Sequence, residues 1–366
     1  MSDKIVFVLP SFKTGGGIRV FIELANILCR NNDIVILYPN NSSDSNTFCV
    51  DKRIEVLPIG KVSKFKCIKL LNLFMTIYML NTKYKHNVIL ITDPLFCLFS
   101  SLLCGKKIFR FIQVDDYAIY DDGCILGKGL VLKIYKKMCL RSYCLTNMSF
   151  IFNSRYVYDR FCELSKRKDV PFNLVHPGIN HSIFNHNLKN KINRYNGKIN
   201  ICLVARKHPW KGLLTFIDVY NSLSEEILGM INDVYLVSHD DLSTFNIANM
   251  ILIKPKSDFE IADVYSKSDI FISPSWFEGF GLPPLEAMST GCSIISSRSG
   301  GVNEFCFENH NCLMFEPKNG EDLNGKLIEL VKSSELRNKL ISNGICISRN
   351  FTWEKSVEQL KAILEL

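Results

Sequence analysis

Short runs of β-branched and aromatic residues alternate along the chain with helix-length runs in which apolar residues recur every three or four positions. This alternation is typical of parallel β-sheets covered by helices. In the first half it predicts strands at residues 4–9, 33–38, 88–92 and 107–113, and helices at 18–30 and 126–145.

The same pattern begins again after the segment VHPGIN. It predicts strands at 199–205, 234–238, 250–253, 270–273 and 293–296, helices at 212–223 and 284–290, and a final helix at 353–366. With 366 residues the chain exceeds the size at which one hydrophobic core usually stops growing. We therefore predict two α/β domains, residues 1–178 and 179–352, with the last helix left over.

Charge is distributed unevenly between the two halves. Residues 1–178 hold 25 Lys and Arg against 14 Asp and Glu, a net +11, whereas 179–366 hold 19 against 22, a net −3, which together give the +8 of the chain. A basic half favours an anionic partner. Nucleic acid would fit, but the sequence has no zinc-finger spacing or basic repeat, and an anionic membrane surface fits equally well. We predict no nucleic-acid partner.

The 14 cysteines are scattered, with no CxxC pair, and many lie in apolar runs. This usage is typical of buried free thiols in a reducing compartment. No signal peptide is visible, and the longest apolar stretches, 70–80 and 88–103, are too short or too interrupted to span a bilayer. We expect a cytoplasmic protein, soluble or peripheral on a membrane.

A glycine run follows the first predicted strand, in VLPSFKTGGGIRVF. Backbone N–H groups of Gly15, Gly16 and Gly17 and the following helix N-terminus would suit an anionic ligand. The run is not GxGxxG, and the second strand ends in YPNN instead of an acid that could bind a ribose. A hydride-transferring dehydrogenase is therefore not favoured.

The second half opens with ICLVARKHPWKG, which places Arg206 and Lys211 between a strand and a helix. Two cations beside a helix N-terminus suit a diphosphate. Taken alone, the same two residues are equally compatible with solvated loop charges.

Two carboxylates flank a glycine loop in SWFEGFGLPPLEAMSTG. We expect the helix to begin near Pro284, because proline is tolerated at the first helical position, and so to place Glu286 in its first turn. Glu278 lies upstream, where glycines let a ligand approach the backbone. Two carboxylates with cations nearby suggest a ligand with hydroxyls at both ends and anionic charge between them, which describes a nucleotide sugar.

These motifs together resemble the retaining family-4 glycosyltransferases, which have the GT-B fold of two Rossmann-like domains facing across a cleft. The resemblance includes the E-x7-E motif at Glu278 and Glu286, the VARKHPWKG segment, the glycine loop, the linker VHPGINHSIF, and FTWEKSVEQL for a C-terminal helix that crosses back to the first domain. It covers nearly the whole chain.

The resemblance implies roles for named residues. Glu278 would hold the sugar, Glu286 the nucleotide ribose, and Arg206 and Lys211 the diphosphate. The backbone of Gly279, Phe280, Gly281 and Leu282 would complete the donor site, with Gly16 and Gly17 contributing from the first domain. Retention at the anomeric carbon without a metal ion is likewise implied, as is transfer to a glycan or lipid-linked acceptor of a cell-surface polysaccharide such as O-antigen or capsule.

Two features of the first domain point to the acceptor. Asp115 and Asp116, in RFIQVDDYAIYDDG, are candidates to position the acceptor hydroxyl, although a solvated acidic loop is an equally good interpretation. The basic helix with Lys133, Lys136 and Lys137 could rest on an anionic bilayer or be an ordinary surface helix. A related enzyme with other nucleotide-sugar chemistry, an epimerase or a phosphorylase, remains an alternative, and so does a non-catalytic sugar-binding scaffold.

Overall fold

The structure, a computed structural model, describes residues 4–41, 48–84, 86–100, 107–121, 129–188 and 197–366. The chain divides into two compact units. The first comprises Met1–Pro177 together with Trp353–Leu366, and the second comprises Gly178–Thr352.

The first unit is built on a parallel sheet of six strands in the order β3-β2-β1-β4-β5-β6. The strands are β1 (Ile5–Val8), β2 (Ile34–Pro39), β3 (Glu55–Ile59), β4 (Val88–Ile91), β5 (Lys107–Ile112) and β6 (Ser149–Phe152). The strand order reverses between β1 and β4, and in sheets of this kind ligands bind beyond the carboxyl ends of the strands at such a reversal.

Helices connect these strands. They are α1 (Gly16–Leu28), α2 (Lys66–Thr82), α3 (Pro94–Ser100), α4 (Asp116–Asp121), α5 (Leu130–Tyr143) and α6 (Arg155–Ser165). In α1, Val20, Phe21, Leu24 and Leu28 are buried at helical spacing, which gives this helix one apolar face.

The second unit repeats the arrangement, with a parallel sheet in the order β12-β11-β10-β7-β8-β9. Its strands are β7 (Ile199–Val204), β8 (Ile231–Val237), β9 (Ile251–Ile253), β10 (Ile270–Ser273), β11 (Ser293–Ser297) and β12 (Leu313–Phe315). Here the order reverses between β7 and β10. Its helices are α7 (Leu213–Ser222), α8 (Glu225–Gly229), α9 (Asp258–Lys267), α10 (Leu282–Thr290), α11 (Gly320–Lys332) and α12 (Ser334–Ser348).

The last helix, α13 (Trp353–Leu364), belongs to the first unit, as the predicted crossover requires. It packs against α1 and buries Trp353, Val357, Leu360 and Leu364, which lie on one helical face. Two hydrogen bonds hold it to the linker: Ser356 Oγ donates to the His176 carbonyl (2.6 Å), and the His176 N–H donates to Gln359 Oε1 (3.0 Å).

Three strands of the structure were not predicted from the sequence. β3 contains a proline and is partly exposed at the sheet edge, β6 has four residues, and β12 has three. Length alone does not explain these omissions, since β9 also has three residues and was predicted. For β3, the proline is the feature that argued against a strand. The helix predicted at 126–145 is described only as α5, since residues 122–128 lie outside the described part of the chain.

Two other expectations concern membranes and thiols. Within the described ranges, no helix is long and apolar enough to cross a membrane. Every cysteine in those ranges is a free thiol, and Cys29, Cys97, Cys139, Cys202 and Cys292 are among those buried.

Candidate functional site

In the second unit, the carboxyl ends of the neighbouring strands β10 and β7 carry three of the charged residues that the sequence singles out. Glu278 follows β10, and Arg206 and Lys211 follow β7. The loops lie where the strand order reverses, which is the usual ligand position in an open α/β sheet.

Lys211 and Glu278 form an ion pair, with 2.6 Å between Lys211 Nζ and Glu278 Oε1. Both side chains are partly buried. The backbone brings them together, because the Trp276 N–H donates to the Trp210 carbonyl at 2.7 Å. Gly212 makes this approach possible: its φ is +68°, and a Cβ there would lie 1.9 Å from the Pro274 carbonyl oxygen.

Arg206 is held by an acid that the sequence analysis did not identify. Arg206 Nε donates to Asp240 Oδ2 at 2.9 Å, and the Lys207 N–H donates to the same oxygen at 2.9 Å. Asp240 follows β8, the strand next to β7. The segment VSHDD shows an acid just after a predicted strand, and this was the available signal for Asp240. That Asp240 pairs with Arg206 becomes visible only once the strand order is known.

Two histidines with depressed pKa values and a stack of aromatic rings surround Arg206. Burial, and after it the charge of Arg206, lower the pKa of His208 and of His239. His208 stacks on Trp210 with ring centroids 4.4 Å apart, and Trp210 is stacked with Phe277 at 6.1 Å. Loss of hydration on burial disfavours the charged imidazolium, and the nearby guanidinium of Arg206 adds to this effect.

The loop between Glu278 and α10 is fixed by close backbone packing. The Glu278 N–H donates to the Ser299 carbonyl (2.7 Å), and the Gly301 N–H donates to the Glu278 carbonyl (3.0 Å). Gly281 has φ +99° and caps α10. The Phe280 side chain is buried against Phe305, so Phe280 could offer a ligand only its backbone.

The helix after this loop begins earlier than predicted. α10 starts at Leu282, not near Pro284, and Glu286 is its fifth residue instead of a residue of its first turn. Prolines fit the second and third positions because the first N–H groups of a helix have no intrahelical partner. Glu286 is 3% exposed, so its carboxylate belongs to the interior of this loop and helix.

In the first unit, the glycine run lies after β1, again where the strand order reverses. Gly16 and Gly17 open α1, and Gly15 caps it in an extended conformation. A Cβ on Gly15 or Gly16 would meet nothing within 4 Å among the described residues, which leaves open space in that part of the structure beside the helix N-terminus. Gln113 Nε2 donates to the Gly17 carbonyl at 3.1 Å and ties this loop to the end of β5.

Asp115 and Asp116 differ in environment. Asp115 is 3% exposed; one of its oxygens accepts from Arg160 Nε (2.7 Å), and the other accepts from the Ala118 N–H (3.0 Å). The Asp116 side chain is 20% exposed and accepts from Arg110 Nη2 at 2.9 Å. Burial raises the pKa of Asp116 to about 6, against the opposing charge of Arg110.

The predicted residues thus fall into separate groups. Lys211 contacts Glu278, Arg206 is held by Asp240, and Glu286 is buried in α10. Gly16, Gly17, Asp115 and Asp116 are part of the first unit. In the portions of the chain that the structure describes, no three His, Cys, Asp or Glu residues are grouped so as to hold a metal ion.

The lysines of the basic helix α5 differ in exposure. Lys133 and Lys137 are exposed, whereas Lys136 Nζ lies over the Tyr117 ring, 4.7 Å from its centroid. Its apolar Ile134 and Tyr135 are also exposed.

Comparison with known proteins gives a consistent result for the second unit. Residues 184–346 match the family model described as glycosyl transferases group 1. An uncharacterized glycosyltransferase of Methanocaldococcus jannaschii is 32% identical over 228 residues, 61% of each chain. A second relative from that organism is matched over 46% of its length, so the chain spans 46–61% of the length of these two relatives.

Solved structures resemble the whole chain. The sucrose-phosphate synthase of Thermosynechococcus elongatus superposes with a TM-score of 0.81 at 14% identity, covering 99% of this chain and 98% of that one. The Anabaena protein HepE, solved in complex with UDP-glucose, gives a TM-score of 0.76 at 15% identity, with 99% of each chain covered. Likeness at this identity concerns the fold, and it confirms the predicted GT-B class.

Proposed function

We propose that this chain, whose residues 184–346 match the family model described as glycosyl transferases group 1, is a retaining glycosyltransferase. It moves a sugar from a nucleotide-sugar donor to a glycan or lipid-linked acceptor during synthesis of a cell-surface polysaccharide such as O-antigen or capsule. The observation that carries the proposal is the Lys211–Glu278 pair at the strand-order reversal of the second unit, with Arg206 beside the same strand ends.

The donor site follows from these contacts. Lys211 and Arg206 would share the diphosphate charge, and Glu278, released from Lys211, would accept hydrogens from sugar hydroxyls. Backbone N–H groups of Gly279, Phe280, Gly281 and Leu282 would complete the site, and Glu286 would hold the ribose. The UDP-glucose bound to the Anabaena protein of similar fold supports testing a nucleoside-diphosphate sugar first.

The proposed reaction requires positive charge beside the departing diphosphate. Cleavage between the anomeric carbon and the phosphate oxygen leaves negative charge on the diphosphate. One well-placed donor at such a developing charge lowers the activation free energy by roughly 2.7–4 kcal/mol. Arg206 and Lys211 are the donors that the second unit offers to this charge. Front-face attack by the acceptor hydroxyl would then give retention.

We propose that cations and backbone groups, not a bound metal, neutralise the diphosphate. Arg206 and Lys211 are already held near the carboxyl ends of β7 and β10 by Asp240 and Glu278. Transfer by the purified protein should therefore continue in excess EDTA.

Asp116 is the better of the two acceptor candidates. Both Asp115 oxygens already accept hydrogen bonds within the first unit, whereas the Asp116 side chain keeps some exposure. The acceptor would be reached on the cytoplasmic face of a membrane, where the basic first unit, including Lys133 and Lys137 of α5, would favour anionic lipid.

The test begins with thermal stabilisation by UDP-, GDP- and dTDP-sugars, since a ligand at about 100 times its dissociation constant adds roughly 2.7 kcal/mol. The stabilising donor, labelled in its sugar, is then incubated with acceptor glycans, and the anomeric configuration of the product is read by NMR. A new glycosidic bond of retained configuration supports the proposal. Recovery of an isomerised donor, or of a sugar phosphate, would instead identify an epimerase or a phosphorylase.

A further inference from the structure

Helix α2 presents an apolar face to solvent. Its exposed side chains include Leu70, Leu71, Phe74, Met75 and Tyr78, with exposures of 43–68%. Their spacing places them on one side of the helix. Val62 and Phe65, just before the helix, are 51% and 70% exposed and extend this surface. We call these seven residues the α2 surface.

The inward face of α2 explains why the apolar side faces outward. Asn72 Nδ2 donates to the carbonyls of Asn40 (3.1 Å) and Lys61 (3.0 Å), and Thr76 Oγ1 donates to the Asn72 carbonyl (2.8 Å). Gly60, with φ +84°, admits the Asn72 side chain where a Cβ would lie 1.9 Å from its Oδ1. The two Asn72 bonds to residues outside α2 fix the rotation of the helix, because turning it would leave the buried Asn72 amide unpaired. The Thr76 bond lies within the helix and satisfies the one hydroxyl on this buried face.

The α2 surface is strongly basic at its edges. Residues 56–92 contain no Asp or Glu but six lysines, at positions 61, 64, 66, 69, 83 and 85, the last outside the described residues. Lys61, Lys64 and Lys66 are exposed and lie at the end of the helix that also carries Phe65. Apolar residues bordered by lysines match the boundary between acyl chains and anionic headgroups.

The helices α3 and α5, near α2, also carry apolar and basic residues. α3 packs against both α2 and α5, and Phe74 meets Phe99 of α3 edge to face, with ring centroids 5.9 Å apart. α5 in turn exposes Ile134 and Tyr135 together with Lys133 and Lys137.

We propose that the α2 surface docks this protein on an anionic lipid bilayer, with α2 lying in the plane of the interface. The helix has 17 residues, about 25 Å at 1.5 Å per residue, which suits lying along a bilayer more than crossing one. A second copy of the chain is a poorer partner, since a symmetric contact would bring the same lysines together without any acid between residues 56 and 92.

This proposal rests on the proposed transfer only in that a lipid-linked acceptor would lie in the same bilayer. Its evidence is the exposure and charge of the first unit, and the donor-site residues of the second unit take no part in it. Vesicle binding and nucleoside-diphosphate binding can therefore fail independently.

The experiment is cosedimentation of the full chain with vesicles of phosphatidylcholine containing about a third phosphatidylglycerol, and with phosphatidylcholine alone. We expect binding to the anionic vesicles that falls as salt is raised. The variant Leu71→Gln/Met75→Gln/Tyr78→Gln should bind at least tenfold more weakly, and Lys64→Glu/Lys66→Glu should lose binding mainly at low salt. All five side chains are outward-facing, so the thermal unfolding midpoint should not fall.

Matched controls come from equally exposed residues elsewhere. Leu252→Gln/Phe259→Gln/Phe307→Gln and Lys168→Glu/Lys339→Glu should bind vesicles as the unmodified chain does. Vesicle binding that is absent in the unmodified chain, or unchanged in the α2 variants, would overturn the proposal. So would a dimer in light scattering that the α2 variants alone dissociate, which would assign the surface to a second copy.

Discussion

Lys211 and Glu278 neutralise each other across 2.6 Å, and a nucleotide sugar in the proposed site would engage both ends of this pair. The ammonium would turn to the diphosphate and the carboxylate to the sugar. Glu286 is buried in α10 and does not share this arrangement. The two glutamates of the E-x7-E motif should therefore respond differently to the same substitution.

We expect Glu278→Gln to abolish most turnover while the free nucleoside diphosphate binds at least as tightly as before, because that ligand has no sugar and Lys211 loses a competing carboxylate. Glu286→Gln should weaken the nucleoside diphosphate by roughly 1.5–3 kcal/mol, the value of a hydrogen bond to a charged group. Calorimetry of both variants, beside their turnover, makes the comparison. Equal weakening by the two substitutions would refute the division of roles.

Asp116 supplies a prediction about pH. Its pKa, raised by burial to about 6, means that the carboxylate is ionised above that pH and protonated below it. Only the ionised form can accept the hydrogen of an acceptor hydroxyl, so turnover should be lost as pH falls through about 6.

In Asp116→Asn this acid limb should disappear, with turnover low at every pH and nucleoside-diphosphate binding retained. Asp159→Asn, which alters an exposed ion pair with Arg155, is the control and should keep the limb. An unchanged acid limb in Asp116→Asn would remove Asp116 from the acceptor site. The measurement is the pH profile of kcat/KM.

At the scale of elements, the donor site depends on how closely the segment before α7 approaches the end of β10. Gly212 is the point of contact, and its positive φ and the nearby Pro274 carbonyl leave no room for a side chain. Gly16, at the start of α1, has neither constraint. The two glycines form a natural pair for comparison.

Gly212→Ala should lower the free energy of unfolding by at least about 1–3 kcal/mol, the usual cost of a left-handed non-glycine residue, and should weaken donor binding because Lys211 moves away from Glu278. Gly16→Ala should leave stability unchanged or slightly raised, since alanine is the better helix former. Denaturant unfolding and calorimetry check both. Equal stability of the two variants would show that the Pro274 contact is relaxed in solution.

At the scale of the whole molecule, the final helix completes the first unit although it follows the second in sequence. Leu360 is fully buried in that unit, whereas Glu358 on the same helix is exposed. Stability of the first unit should therefore depend on residues at the carboxyl end of the chain.

Leu360→Ala should destabilise the first unit by about 2–5 kcal/mol, the range for deleting a buried leucine side chain. Hydrogen exchange followed by mass spectrometry should show faster exchange in β1, β2 and α1, with β7 and β10 unaffected. Glu358→Ala is the control. Faster exchange throughout both units would mean that they unfold together.

The sequence by itself determined the repeated α/β pattern, the position of the boundary near Gly178, and the loop that carries Glu278. These features depend on local periodicity and on glycines and prolines. Both kinds of signal act within a few residues, so they can be recognised without a structure. The same reasoning placed the start of α10 two residues late, because it assigned a proline to the first helical position. Element boundaries depend on capping geometry, which the letters only suggest.

The tertiary structure decided which charges meet. Arg206 and Asp240 are 34 residues apart, and Lys211 and Glu278 are 67 apart, so only the order of the strands makes them neighbours. The outward apolar face of α2 was equally invisible, since the apolar stretch at 70–80 showed no face until Asn72 and Thr76 were seen to pack inward. Such contacts result from long-range packing, and no local pattern encodes them.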